Sequence, residues 1–161
     1  MAPALDDLDR KILDLVQHDN RLTSEVVGER VNLSATAVQR RLKRLRDARV
    51  IEADVAIVSP KAVGRNLQMM VMVSLERERA DIIDRFKRSV RGTPEIMSGY
   101  SVTGEADFVL VVSATDMEDY EAFTRRFFYG NPDVKTFKTM VVMDRVKVGF
   151  AMPLKAPTGQ S

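Results

Sequence analysis

The chain has 161 residues, of which 45% are hydrophobic, 30% are charged and none is cysteine. That length accommodates one ordinary domain or two small ones, and the apolar content is enough to build a core rather than leave the chain disordered. The longest apolar runs, Met69 to Val73 and Phe108 to Val112, are five residues long, against about 18 needed to span a bilayer. No membrane span is expected, and the first residues lack the basic and apolar regions of a secretory signal. Without cysteine there is no disulfide framework and no thiolate metal site, which fits a reducing cytoplasm.

The net charge of +2 says little by itself, but its distribution is uneven. Between Ser34 and Val50 stand Arg40, Arg41, Lys43, Arg44, Arg46 and Arg49 against one acid, Asp47, which leaves the remainder of the chain net negative. A basic cluster of this kind at helical spacing is the footprint of a phosphate-contacting surface; a solvated helix face is the alternative.

In chain order, Leu8, Ile12 and Leu15 recur at helical spacing behind Asp6 or Asp7 as N-cap, predicting a first helix that ends near Asp19-Asn20. Thr23 is a good N-cap for a second helix, with Glu25 in the first turn where the helix dipole favours an acid. It runs to Val31. Asn32 tolerates the left-handed backbone of a tight turn, and Ser34 can cap a third helix over about Ala35 to Ala48. On that helix Val38, Leu42 and Leu45 share one face, leaving Thr36, Ala37, Gln39, Arg40, Lys43 and Arg44 largely outside the stripe. Two helices joined by so short a turn, the second polar and basic on its free side, describe a helix-turn-helix. Val50-Ile51 and Val55 to Val58 read as short strands, a small wing or connecting ribbon. Gly28, inside the second helix, reads as a close-packing position.

Proline and glycine in Ser59-Pro60-Lys61-Ala62-Val63-Gly64 mark a domain boundary, dividing the chain into 1–60 and 61–153, with a loose tail over 154–161. Beyond it the period changes. Leu67 to Leu75 is apolar at both alternating positions, so a strand buried on both sides is expected, one face under helices and the other against a partner subunit. Ile83, Phe86, Lys87 and Val90 predict a helix closed by Gly92 and Pro94. Ile96 to Thr103 and Phe108 to Ser113 predict strands around the turn Gly104-Glu105-Ala106-Asp107. Asp116 caps a helix through about Phe128 with Tyr120, Phe123 and Phe127 inward, and Val134 to Val148 is a long last strand. The order βαββαβ is that of the ferredoxin-like split βαβ arrangement, so the fold class is α+β. The nine methionines read as core and interface filler rather than metal ligands.

Leu5-Asp6-Asp7-Leu8-Asp9-Arg10-Lys11-Ile12-Leu13, Asp19-Asn20-Arg21-Leu22-Thr23, and Val31 to Val38 followed by Arg40 to Leu45, together with Val102 to Leu110 and Thr139 to Met143, resemble the Lrp/AsnC family of bacterial regulators. The resemblance extends over about Leu5 to Pro153. It implies an N-terminal winged helix-turn-helix that binds double-stranded DNA, and a βαββαβ domain that senses a small molecule, such as an amino acid, and through which subunits dimerise and form larger assemblies. In such regulators the third helix enters the major groove. That makes Thr36, Ala37, Gln39 and Arg40 base-edge candidates, with Gln39 suited to adenine and Arg40 to guanine. Arg41, Lys43 and Arg44 are phosphate candidates, as is Ser34 through its helix N-terminus; a structural ion pair is the alternative for Arg41. A two-fold dimer implies an approximately palindromic operator.

The family's effector site lies between subunits near a hairpin with a Gly-Asp-Tyr-Asp pattern. Here Gly104 and Asp107 match, and Glu105 and Ala106 depart from it. Many relatives carry two threonines on the last strand, where this chain has Phe137 and Thr139. Tyr100, Thr103, Gly104, Asp107 and Thr139 are the effector candidates. No cofactor, metal or catalytic residue is expected. A nucleoid-organising protein with little sequence preference is one rival reading. Enzymes that decarboxylate sirohaem, which resemble the same architecture, are another; those rely on histidine in the second domain, and the one histidine here, His18, is in the first.

Overall fold

The computed structural model describes residues 4–77 and 79–154. They form two compact units, one made of residues up to Ala56 together with those from Lys147 onward, the other of Ile57–Val146. The sequence-based boundary at 60/61 thus shifts slightly. The residues from Lys147, expected in the second domain, belong to the first: Gln17 donates through Nε2 to the Met152 carbonyl at 3.0 Å, and the Met152 N–H donates to Gln17 Oε1 at 2.8 Å. Residues 155–161 of the expected tail lie outside the described residues.

The first unit holds α1 (Asp7–Val16), α2 (Ser24–Val31) and α3 (Ala35–Asp47). Asp6 caps α1 in a reciprocal box with Asp9, Thr23 caps α2 and Ser34 caps α3, so each helix begins where a short polar side chain can satisfy an orphan N–H. Helix α1 stops earlier than expected because the N–H groups of His18 and Asp19 both turn back to the Leu15 carbonyl. Asn32 takes the left-handed conformation, φ 56°, that the turn requires. Gly28 lets this turn close: a Cβ there would lie 2.4 Å from the Leu33 carbonyl oxygen. Ile12, Val27, Val31, Val38 and Leu42 form the core. The expected strands at Val50-Ile51 and Val55 to Val58 are absent among the described residues; Val50 and Ile51 lie in a bend, and Val55, Ile57 and Val58 are at least 60% exposed. A strand needs a hydrogen-bonding partner, and this single chain sets none opposite it.

The second unit is a βαββαβ domain after a short 3₁₀ turn, Lys61–Val63: β1 (Leu67–Leu75), α4 (Ala80–Arg91), β2 (Ile96–Ser101), β3 (Phe108–Ala114), α5 (Met117–Thr124) and β4 (Val134–Val141). The antiparallel sheet has the order β2-β3-β1-β4. Helix α5 runs into a wider π turn, Arg125–Tyr129, which brings both Phe127 and Phe128 into the core beside Phe86, Phe108 and Phe123. Both helices cover the same side of the sheet. Met69, Val71, Val73 and Leu75 are therefore buried, whereas Met70 is 41% exposed: within this chain the helices cover one face of β1, and the face expected to meet a partner subunit is open. Strand β4 ends at Val141 rather than Val148, because its neighbour β1 begins its pairing at Met69↔Val141, with one further bond from Val142 to the Gln68 carbonyl. Strand β2 likewise ends at Ser101, short of Thr103.

Candidate functional site

Helix α3 is held on α1 by charge. Asp9, 0% exposed, accepts from Arg41 Nη1 on one oxygen at 2.8 Å and from Arg44 Nη2 on the other at 2.5 Å. Arg41 also reaches Asp6 at 2.7 Å. The Asp9 N–H and the Arg41 guanidinium hold the Asp6 carboxyl below the usual aspartate range, and Asp6 and Asp9 in turn hold Arg41 firmly protonated. A buried carboxylate carrying two guanidinium groups is a satisfied ion cluster, not a surface pair. Arg41, expected at a phosphate, therefore points to α1, and its side chain is only 23% exposed. Arg44 is half-exposed while tied to the same carboxylate, and Lys43 pairs with Asp47 one turn on.

What remains free on α3 is a narrow face. Thr36, Gln39 and Arg40 are exposed, Ala37 is half-buried, and Arg40 meets no carboxylate among the described residues. The Ser34 hydroxyl is occupied by the Ala37 N–H at 3.2 Å, which leaves the Ala35 and Thr36 amides at the helix N-terminus without an intrahelical partner. Arg46 is fixed as well, its guanidinium forked on Asp54 at 2.8 and 3.2 Å, tying the end of α3 to the segment that follows. The sequence reading missed Asp9 and Asp54. Asp9 had a signal: an acid three residues after the Asp6 cap completes a capping box, and it falls on the same stripe as Ile12.

The effector candidates divide. Thr103, Gly104 and Asp107 lie in the β2–β3 hairpin and Tyr100 on β2, 56% exposed. Gly104 has φ 121° with open space around its α-carbon, a backbone that side chains rarely adopt. Asp107 is mostly committed to the fold: its N–H donates to the Val73 carbonyl at 3.0 Å, its carboxylate accepts from the Leu75 N–H at 2.7 Å, and its carbonyl accepts from Val102. Thr139 sits on β4 at the other edge of the sheet, three strand spacings from β2, roughly 14 Å at 4.8 Å each. It hydrogen-bonds the buried Tyr120 hydroxyl at 2.5 Å on the helix side, and burial raises the Tyr120 phenol despite that bond. One subunit thus brings four candidates to the hairpin and holds Thr139 apart. Among the described residues no group of His, Asp or Glu side chains is arranged to hold a metal, and no helix is long and apolar enough to cross a membrane.

A helix-turn-helix with an exposed face on its second helix, joined to a ferredoxin-like domain, is the architecture of a DNA-binding regulator that carries a second domain. Family models agree: residues 5–46 match the AsnC-type helix-turn-helix domain and residues 68–152 the Lrp/AsnC ligand binding domain. The uncharacterized HTH-type transcriptional regulator y4tD of Sinorhizobium fredii is 67% identical over 96% of this chain and 91% of its own length. DecR, a DNA-binding transcriptional activator of Escherichia coli K12, is 30% identical over 94% of this chain and 99% of its own. The crystal structure of the Neisseria meningitidis transcriptional regulator NMB0573 in complex with L-Met superimposes with a TM-score of 0.88 at 35% identity, covering 94% of this chain and 97% of that one. The chain belongs to the Lrp/AsnC family: it is a transcriptional regulator with a helix-turn-helix DNA-binding domain and a ligand-binding domain, and not an enzyme.

Proposed function

We propose that this regulator reads an approximately palindromic operator as a two-fold homodimer, and that an amino acid bound at the hairpin biases its operator affinity or assembly. The observation that carries the DNA reading is the division of labour on α3. Gln39 and Arg40 stand exposed with their donors free, while Arg41 and Arg44 are anchored to buried Asp9. Gln39 pairs with adenine and Arg40 with guanine, Thr36 and Ala37 flank them, and the Ser34 end of the helix meets a phosphate. Lys43 and the half-exposed Arg44 neutralise phosphates; Arg41 is a positioning residue.

Dimerisation is supported by the open face of the sheet, where Met70, Met72, Met97, Val109, Val111 and Met140 leave an apolar surface, and by the exposed apolar side chains of Val55, Ile57 and Val58. Further association into tetramers or octamers belongs to the same reading. Because Tyr100, Thr103, Gly104 and Asp107 are separated from Thr139 within one subunit, the effector site is completed by a neighbouring one, so ligand and assembly are thermodynamically coupled. The complex of NMB0573 with L-Met supports an amino acid as the ligand class.

Fluorescence anisotropy tests this, with the DNA upstream of the protein's own gene and a scrambled duplex, with and without an amino-acid mixture. Preference for the native duplex that Gln39→Ala and Arg40→Ala abolish is expected, together with a shift on adding the mixture. Equal affinity for both duplexes, insensitive to those substitutions, points instead to a nucleoid organiser.

A further inference from the structure

A cleft on the helix side of the second unit, away from the effector candidate Thr139, has the chemistry of a receptor. It lies between the last turns of α4 and the end of β2, has a volume of about 150 Å³, and is lined by Lys87, Val90, Arg91, Gly99, Ser101 and Phe108. We propose that it binds a small oxyanion, a carboxylate or a phosphate, independently of the composite site at the hairpin.

The cleft opens at the end of β2, where the helix-facing Ser101, opposite buried Phe108, carries only a short side chain, next to Gly99, opposite buried Leu110. At Gly99 a Cβ would lie 2.8 Å from Val90 Cγ1 and 3.1 Å from Leu110 Cδ2, so the helix settles directly on the strand backbone there. Val90 and Phe108 make an apolar floor. The rim is polar and one-signed.

Lys87 and Arg91 are one helical turn apart on that rim, and neither meets a carboxylate among the described residues. Like charges at this spacing repel, which an anion between them relieves. Arg85, on the same helix, is by contrast forked on Asp133 at 2.6 and 2.9 Å. The negative end of the α4 dipole is muted, since the Gly92 N–H, the Thr93 hydroxyl and the Thr93 N–H occupy the carbonyls of Arg88, Ser89 and Val90. Ammonium and guanidinium supply only donors and the Ser101 hydroxyl supplies a third, so the complementary ligand is an acceptor bearing negative charge. The volume admits a phosphate or a carboxylate on a short carbon skeleton.

Calorimetric titration of the full-length protein with inorganic phosphate, and separately with acetate, at an ionic strength held constant with chloride, tests the site. Saturable binding of one ion per chain is expected for at least one of them, and which one saturates distinguishes a phosphate from a carboxylate site. Lys87→Ala and Arg91→Ala should each weaken it by about tenfold or more. Ser101→Val, which removes the hydroxyl donor and narrows the cleft without changing charge, should also weaken it. Arg88→Ala, on the same helix outside the cleft, should leave it unchanged, with circular dichroism verifying that every variant is folded. Absence of saturable binding for both ions, or binding that survives Lys87→Ala and Arg91→Ala alike, overturns the proposal.

Discussion

Replacing Asp9 with alanine tests whether α3 is held by one buried carboxylate. In the native fold Asp9 has no solvent exposure and pairs with Arg41 and Arg44 at once. Removing one partner of a fully buried ion pair costs about 3–5 kcal/mol. Here the stranded cations are 23% and 51% exposed and can rehydrate, which lowers the expected loss to about 2–3 kcal/mol. In a unit this small, at about 4–8 °C per kcal/mol, thermal unfolding of the first unit should fall by roughly 10 °C or more. Calorimetry or circular dichroism reads that directly. Arg41→Ala gives the sharper discrimination. A positioning residue lowers stability and weakens all operators without changing the salt dependence of binding, whereas a phosphate contact reduces the slope of log K against log[salt] by about 1. An Arg41→Ala protein with native melting and a reduced salt slope would refute the assignment of Arg41 to the α1 clamp.

Further outcomes follow from the same geometry. Lys43→Ala should reduce the salt slope by about 1 and weaken native and scrambled duplexes alike, while Arg40→Ala should cost about 1–3 kcal/mol on the native operator and little on the scrambled one; anisotropy titrations at several salt concentrations separate the two. Asp54 is held below its ordinary value by the Arg46 guanidinium, and Asp6 by the Asp9 N–H and then Arg41. Because folding depresses both, their contribution is complete above the unfolded aspartate value of about 3.9 and disappears as pH falls below it. Chemical denaturation of the first unit at a series of pH values should show stability declining below about pH 4, with a shallower decline in Asp54→Asn; an identical profile for that variant would remove Asp54 from the account. Gly104→Val places a branched side chain at φ 121° in open space, so backbone strain alone should cost about 1–3 kcal/mol in thermal unfolding, without a steric clash.

Short-range chemistry in the chain determined the helices of the first unit and the order of elements in the second. Asp6, Thr23, Ser34 and Asp116 cap helices because each needs only a backbone N–H two or three residues ahead. Val38, Leu42 and Leu45 marked the buried face of α3 because helical periodicity is local. The exposed face of α3, with Thr36, Gln39 and Arg40, was legible for the same reason. Tertiary structure alone decided which charges are used up, since Asp9 meets Arg41 and Arg44 across more than thirty positions of chain. It also decided which face of β1 the helices cover, that Val55 to Val58 finds no strand partner among the described residues, that the backbone from Lys147 joins the first unit, and that Thr139 is tied to Tyr120 away from the hairpin. Each of these depends on closing a long loop onto a particular neighbour. Residue type sets what a side chain can bond to, and the register of the folded chain sets what is within reach.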